Sequence, residues 1–232
     1  MDDTNVRVNS AKAWFLAARP KTLTGAAVPV MIGIACAVAL HGAEVRWVPA
    51  VLCMLFALIM QIDANFVNDY FDFMKGTDDE QRLGPKRACS QGWITAPAMR
   101  SALLLTTAVA CVVGLPLILY GGWEMILVGL ACVVFCFLYT ISLSYMGLGD
   151  VLVLVFFGLV PVSMTYWLVA PASPLLSIPL TVIGLSLACG LVIDTLLVVN
   201  NYRDIDNDRR TGKRTLIVKI GAKNGRSLYL WL

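Results

Sequence analysis

Charge is scarce in this 232-residue chain: Asp, Glu, Lys and Arg make up 14% of it, where a soluble domain carries about 25%. Water is therefore not its main solvent. Histidine is nearly absent, with His41 alone, and the seven cysteines at 36, 53, 89, 111, 132, 136 and 189 show no CxxC spacing. That pattern argues against a zinc or haem centre built on these residues, and the cysteines read as small apolar packing residues. No Ser/Gly-rich linker or low-complexity tract divides the chain. No cleavable leader is visible, because the first apolar run follows about twenty mixed residues and is itself long enough to span a bilayer. The net charge of +3 is small, and no nucleic-acid partner is expected.

What remains is apolar: 59% of the residues are hydrophobic and the mean hydropathy is +0.77. Since about 20 apolar residues cross the hydrocarbon core, the pattern predicts spans near Leu23 to Leu40, Trp47 to Asp72, Ala102 to Tyr120, Met125 to Leu143, Val151 to Val169 and Leu175 to Asn201. A further apolar stretch starts at Gly225. Basic residues gather before the first span, between the second and third, and after the sixth, while the opposite loops hold only Arg46. By the positive-inside rule the amino terminus is expected in the cytoplasm of a multi-pass protein in the cell (inner or plasma) membrane.

Two acidic signatures fall on that same face. One is Asn68-Asp69-Tyr-Phe-Asp72 with Asp78 beyond it, and the other is Asn200-Asn201-Tyr-Arg203-Asp204-Ile-Asp206-Asn-Asp208. On a helix, Gln61, Asn65, Asn68 and Asp72 lie within roughly 60° of one another with Asp69 beside them. Asp194, Asn200, Asn201, Asp204 and Asp208 gather within roughly 120°. Each signature is followed by a basic stretch, which makes a weak internal repeat of the kind that places a site between halves. Carboxylates stacked at a helix C-terminus meet the negative end of its dipole, so the arrangement is repulsive without a cation. Mg²⁺ takes one or two carboxylates and completes its shell with water and phosphate oxygens. The residues therefore describe a diphosphate site bridged by metal, with Arg19, Lys21, Arg82, Lys86, Arg87, Arg203 and Lys213 as candidate partners of the phosphates and the arginines ranked first. Interhelical ion pairs and positive-inside anchors are the plainer readings of the same side chains. Asp63 falls nearly opposite the first stripe, and the sequence names no partner for it.

These residues resemble those of the UbiA-type intramembrane prenyltransferases, which carry an NDxxD-type motif after the second helix and a DxxxD motif after the sixth. Here they are Asn68-Asp69-xx-Asp72 and Asp204-xxx-Asp208. Further support comes from Arg19-Pro20-Lys21-Thr22-Leu23, Phe73 with Gly76 and Asp78, Arg82-Leu-Gly84-Pro85, and Gly212-Lys213-Arg-Thr215-Leu216. Within the family the branch most resembled is the one that prenylates 1,4-dihydroxy-2-naphthoate in menaquinone biosynthesis. The resemblance implies an all-α polytopic bundle with six complete spans plus the start of a seventh. Residues 1–232 would form one membrane-embedded domain, with cytoplasmic loops 75–100 and 202–226 over the active site. It implies that Asp69, Asp72, Asp204 and Asp208 bind Mg²⁺, two ions in all. Asn65, Asn68, Arg19, Lys21, Arg82, Arg87, Arg203 and Lys213 would contact a polyprenyl diphosphate, with Asp78, Asn201 and Asp194 in support. Diphosphate would leave, an allylic cation would form, and the aromatic ring would attack it with loss of CO₂.

Two departures stand out. Some relatives carry a YxxxK element after the fourth helix, whereas Tyr139 is followed four positions on by Leu143. The family usually has about nine spans and this sequence stops early in a seventh, so a truncated carboxyl end is expected. Transfer to another aromatic or lipid acceptor such as 4-hydroxybenzoate is the alternative within the same chemistry. An intramembrane cation transporter is the alternative outside it, although only Asp63 and Asp194 approach the depth at which transporter carboxylates lie.

Overall fold

The computed structural model describes residues 6–77, 83–171 and 177–232, and among these every regular element is a helix. A short helix α1 (Ala11–Ala18) is capped by the Ser10 hydroxyl, which accepts the amide of Ala13. It leads into α2 (Leu23–His41), α3 (Trp47–Lys75), α4 (Ala96–Gly121), α5 (Glu124–Leu143), α6 (Gly149–Val169) and α7 (Leu180–Arg203). These six are long and apolar enough to cross a membrane. Two further helices, α8 (Ile205–Arg210) and α9 (Leu216–Trp231), complete the chain. The outward surfaces of the long helices carry Leu104, Leu105, Val112, Leu119, Leu130, Val192 and Leu196 exposed, as suits a hydrocarbon solvent.

Small residues set the helix spacing. A Cβ on Gly33 of α2 would stand 2.6 Å from the Val162 carbonyl oxygen of α6, and one on Gly158 of α6 would stand 2.7 Å from Gly190 Cα of α7. In lipid, where association rests on packing rather than on the hydrophobic effect, such close backbone approach is a main source of helix adhesion. Both α5 and α6 depart from regular winding, with π-helical turns at Tyr139–Leu143 and Leu154–Leu159. Such bulges are common at functional sites.

The expected span limits shift in instructive places. The third span starts at Ala96 rather than near Ala102, because Thr95 stands extended before the helix and Pro97 fits its first turn. The expected loop 75–100 therefore shortens at both ends, Lys75 closing α3 and Arg100 lying within α4. The expected loop 202–226 is instead largely helical, since Ile205 and Ile217 bury against Val198. The last helix begins at Leu216, not Gly225: the Thr215 hydroxyl accepts the Val218 amide as a cap. Gly221, with φ of 80°, then breaks this helix in two.

Candidate active site

The first acidic signature is built by three separate segments. Asp69 is fully buried, with Oδ2 accepting the Ala88 amide at 2.8 Å and Oδ1 the Cys89 amide at 2.9 Å. Its carboxylate thereby pins the turn at residues 88–92 to the end of α3. That turn closes on itself through the Trp93 amide to the Ala88 carbonyl at 2.8 Å, and Asn9 ties it to the amino-terminal segment through its own amide to the Trp93 carbonyl. Beneath lies an apolar cluster of Ala13, Ala17, Phe66, Trp93, Ile94 and Met99. Arg19 ends α1 in a left-handed conformation, φ 49°, and its Nη2 stands 3.9 Å from Asp69 Oδ2.

Asp72, one turn further, is 5% exposed. Its Oδ2 lies 3.7 Å from Nη2 of the buried Arg87, while its shielded Oδ1 has no hydrogen-bond partner among the described residues. A buried carboxylate oxygen left open is costly, so this atom is where the site most plainly calls for a ligand. The other members of the stripe hold the walls. The Asn65 amide nitrogen donates to the Ala18 carbonyl at 2.9 Å and to the Thr22 hydroxyl at 3.0 Å, Gln61 donates to the same hydroxyl, and Asn68 accepts from the Thr140 hydroxyl.

The second signature is a local device. Asp204 is the joint between α7 and α8. The preceding Arg203 folds its guanidinium back to donate Nε and Nη2 to the two Asp204 oxygens at 2.8 and 2.7 Å. Asp208 is 5% exposed, lies within the field of Arg203 and closes the next turn, its carbonyl accepting the Lys213 amide at 2.8 Å. Asp206 is exposed and pairs with Arg209.

Lys75 and Tyr145, which the sequence did not single out, link the end of α3 to Lys213 beyond the second signature. Lys75 reaches from α3 to the π-turn of α5, donating to the carbonyls of Thr140 at 3.1 Å and Ile141 at 2.6 Å. Its ammonium lies 4.0 Å from the centre of the Tyr145 ring, and Lys213 approaches the same ring at 5.5 Å. An ammonium thus does reach the Tyr139–Leu143 turn, supplied by α3 rather than by position 143. The Arg214 backbone amide and the Lys219 ammonium donate to the carbonyls of Tyr145 and Met146. A small cavity opens here, lined by Tyr139, Asp150, Asn201, Lys213 and Thr215 among others.

The remaining expected residues separate clearly. Lys21, Lys86 and Asn200 are exposed, and Asn201 and Lys213 are partly buried at the cavity. Asp194 is buried on α7, away from the Arg203–Asp204 pair, in the field of Asp150. Asp78 and Arg82 lie outside the described residues. Asp63 finds its partners on α4, where the Thr107 hydroxyl donates to Oδ2 at 2.8 Å and the Thr106 hydroxyl to Oδ1. It is a satisfied helix-to-helix lock. Among the described residues no three His, Cys, Asp or Glu side chains form a ready cage for a metal, so a cation here must bridge carboxylates of separate helices with oxygens from a ligand.

Comparison with known proteins identifies the family. Residues 26–232 match the family described as the UbiA prenyltransferase family. The chain is 34% identical over 239 residues to the 1,4-dihydroxy-2-naphthoate octaprenyltransferase of Escherichia coli (strain K12), covering 99% of this chain and 75% of that one. It is 36% identical to the proteins of the same name from Haemophilus influenzae and Mycobacterium tuberculosis, over 224 and 219 residues, 93% of this chain and 71% and 72% of theirs. The fold is similar to a solved chain described under digeranylgeranylglyceryl phosphate synthase in membranes, with a TM-score of 0.63 and 18% identity, covering 95% of this chain and 72% of that one.

Proposed function

This chain belongs to the UbiA prenyltransferase family, and on that premise we propose that it moves a polyprenyl group from a polyprenyl diphosphate to 1,4-dihydroxy-2-naphthoate, releasing diphosphate and CO₂ with Mg²⁺ as cofactor. The naphthoate choice rests on the relatives of that name. The observation that carries the chemistry is Asp72, a buried carboxylate whose Oδ2 lies beside the guanidinium of Arg87 and whose Oδ1 is unclaimed among the described residues. A hard cation favours such an oxygen, so the residues fit the metal.

Asp72, Asp204 and Asp208 would hold the Mg²⁺ ions. Asp69 would join them, because a carboxylate oxygen that accepts one amide keeps a further lone pair. Bound there, the metal supplies positive charge to the diphosphate oxygens as the leaving group develops its own negative charge. Arg87 and Arg19 hold the diphosphate from the first signature, and Arg203 turns its fork from Asp204 to the phosphates when substrate arrives. Arg87 is the best placed of the three, since its burial leaves few orientations open. The apolar walls exclude water from an allylic cation that water would otherwise quench. The basic residues around both signatures support a cytoplasmic orientation of this end and of the amino terminus.

Membranes holding the protein, incubated with labelled polyprenyl diphosphate, Mg²⁺ and either acceptor, test the proposal. Prenylated naphthalene product with the naphthoate is expected. Product with 4-hydroxybenzoate alone would overturn the assignment of acceptor.

A further inference from the structure

The π-turn at the end of α5 is gripped by α3 at a single residue, Thr140. The amides of Ser144 to Leu148 bond to the carbonyls of Tyr139, Ser142, Leu143 and Ser144, so the turn passes over the carbonyls of Thr140 and Ile141. Lys75 takes both, its ammonium donating at 3.1 and 2.6 Å. Two turns earlier on the same face of α3, the Oδ1 of Asn68 accepts the Thr140 hydroxyl. Thr140 is thus held through its main chain by one residue of α3 and through its side chain by another. It is 2% exposed, which leaves it little room to move.

A hydroxyl can meet either end of a carboxamide, and the end it meets decides what the other end offers. Here the hydroxyl gives its proton to Oδ1, so the N–H groups of Asn68 turn away from Thr140, and among the described residues they donate to nothing. Asn68 and Asp72 are neighbours one turn apart on α3, and Asp72 carries the open Oδ1 of the proposed diphosphate site. A diphosphate offers acceptors only. The reverse orientation of the amide would set Oδ1 against the negative oxygens of that ligand. A plain bond between α3 and α5 would serve in either orientation, and it has no need of Lys75 on the main chain of the same residue.

From this geometry we infer that Thr140, anchored by Lys75, is a positioning residue: its hydroxyl fixes the Asn68 carboxamide so that the N–H groups face the diphosphate. This role rests on the proposed prenyl transfer and deepens its diphosphate site. Thr140 acts through Asn68 alone.

The test is a double-mutant cycle between Thr140→Val and Asn68→Ala in nanodiscs, with Thr140→Ser and Lys75→Met alongside. Retention of labelled polyprenyl diphosphate with Mg²⁺ is measured first, then the KM of each substrate in the naphthoate assay. Thr140→Val keeps the shape and loses the hydroxyl, so it should weaken retention by about tenfold, the worth of one hydrogen bond to a charged group. The KM of the diphosphate should rise in step, while that of the naphthoate stays within about twofold. Thr140→Ser should retain the diphosphate within about threefold of wild type, and Lys75→Met should weaken retention by about threefold. In the Asn68→Ala background Thr140→Val should change retention by less than about twofold, since nothing is left to position. A further tenfold or so in that background, the additive result, would overturn the inference. Equal rises in both KM values would overturn it too, by marking a general loosening, and wild-type retention in Lys75→Met would remove the anchor. Wild-type protein that retains diphosphate yet makes no naphthoate product would count against the proposed acceptor, while the retention cycle still judges Thr140. Wild-type protein that retains no diphosphate would overturn both.

Discussion

The two acidic signatures share residue types and the same end of the bundle, but they are constructed differently. At the first, Asp69 and Asp72 take their partners from a turn about twenty residues on and from the end of α1. At the second, Asp204 takes its partner from the adjacent Arg203. One is a tertiary junction that holds the fold as well as any ligand, while the other is a local charge pair at a helix joint. A carboxylate that organises two buried amides cannot be removed without orphaning them. A partly exposed ion pair such as Arg203–Asp204 contributes little to stability and can be exchanged for a ligand.

The comparison is sharpest when each signature loses one carboxylate. Asp72→Ala and Asp204→Ala are both expected to lower turnover by on the order of 10²–10³-fold, with membrane insertion intact by fractionation. Wild-type rates in either would remove that residue from the proposed site. Asp69→Ala should lose activity and stability together, by about 1–3 kcal/mol for each amide left bare, and protease cleavage near residues 88–92 would report it. Asp204→Ala, by contrast, should melt within about 4 °C of wild type, since a partly exposed pair is worth roughly 0–1 kcal/mol. If the two variants melt alike, the contrast between junction and joint fails.

A weaker effect is expected away from both signatures. Replacing Thr106 and Thr107 together by Val leaves Asp63 without donors, and thermal unfolding in detergent should register a loss of about 1–3 kcal/mol. Adding Asp63→Leu should return part of it, because removing both partners of a buried pair is far milder than removing one. The smallest change belongs to Lys21, which is exposed: Lys21→Ala should alter turnover by less than about twofold, with whatever remains fading as salt is raised. A large salt-insensitive loss would place Lys21 inside the site.

Much of this was readable before folding. Hydropathy located the six spans to within a few residues, because a lipid solvent demands long unbroken apolar helices. The stripe on α3 was readable as well, since Gln61, Asn65, Asn68 and Asp72 recur at helical spacing on one long regular helix. The 202–226 stretch misled because its charges read as loop, whereas Ile205, Ile217 and Val218 supply a short apolar face that buries only once α7 is beside it. The Thr215 cap was the available signal for α9. Asp63 looked isolated because its partners, Thr106 and Thr107, lie on another helix more than forty positions away. Lys75 escaped notice for a similar reason. It stands at a helix end where charge is ordinary, and only its neighbours distinguish it.

By itself, the amino-acid sequence determined the solvent, the number of long helices, the end of the bundle at which both acidic signatures gather and the family of the enzyme. These follow from local composition and short motifs. Tertiary structure alone decided which carboxylates are spoken for and which remain open: Asp69 bound by the amides of Ala88 and Cys89, Asp63 locked to Thr106 and Thr107, and Asp72 with one oxygen open among the described residues. The physical reason is that the availability of a charge depends on what surrounds it, and those surroundings are assembled from segments that sequence distance keeps apart.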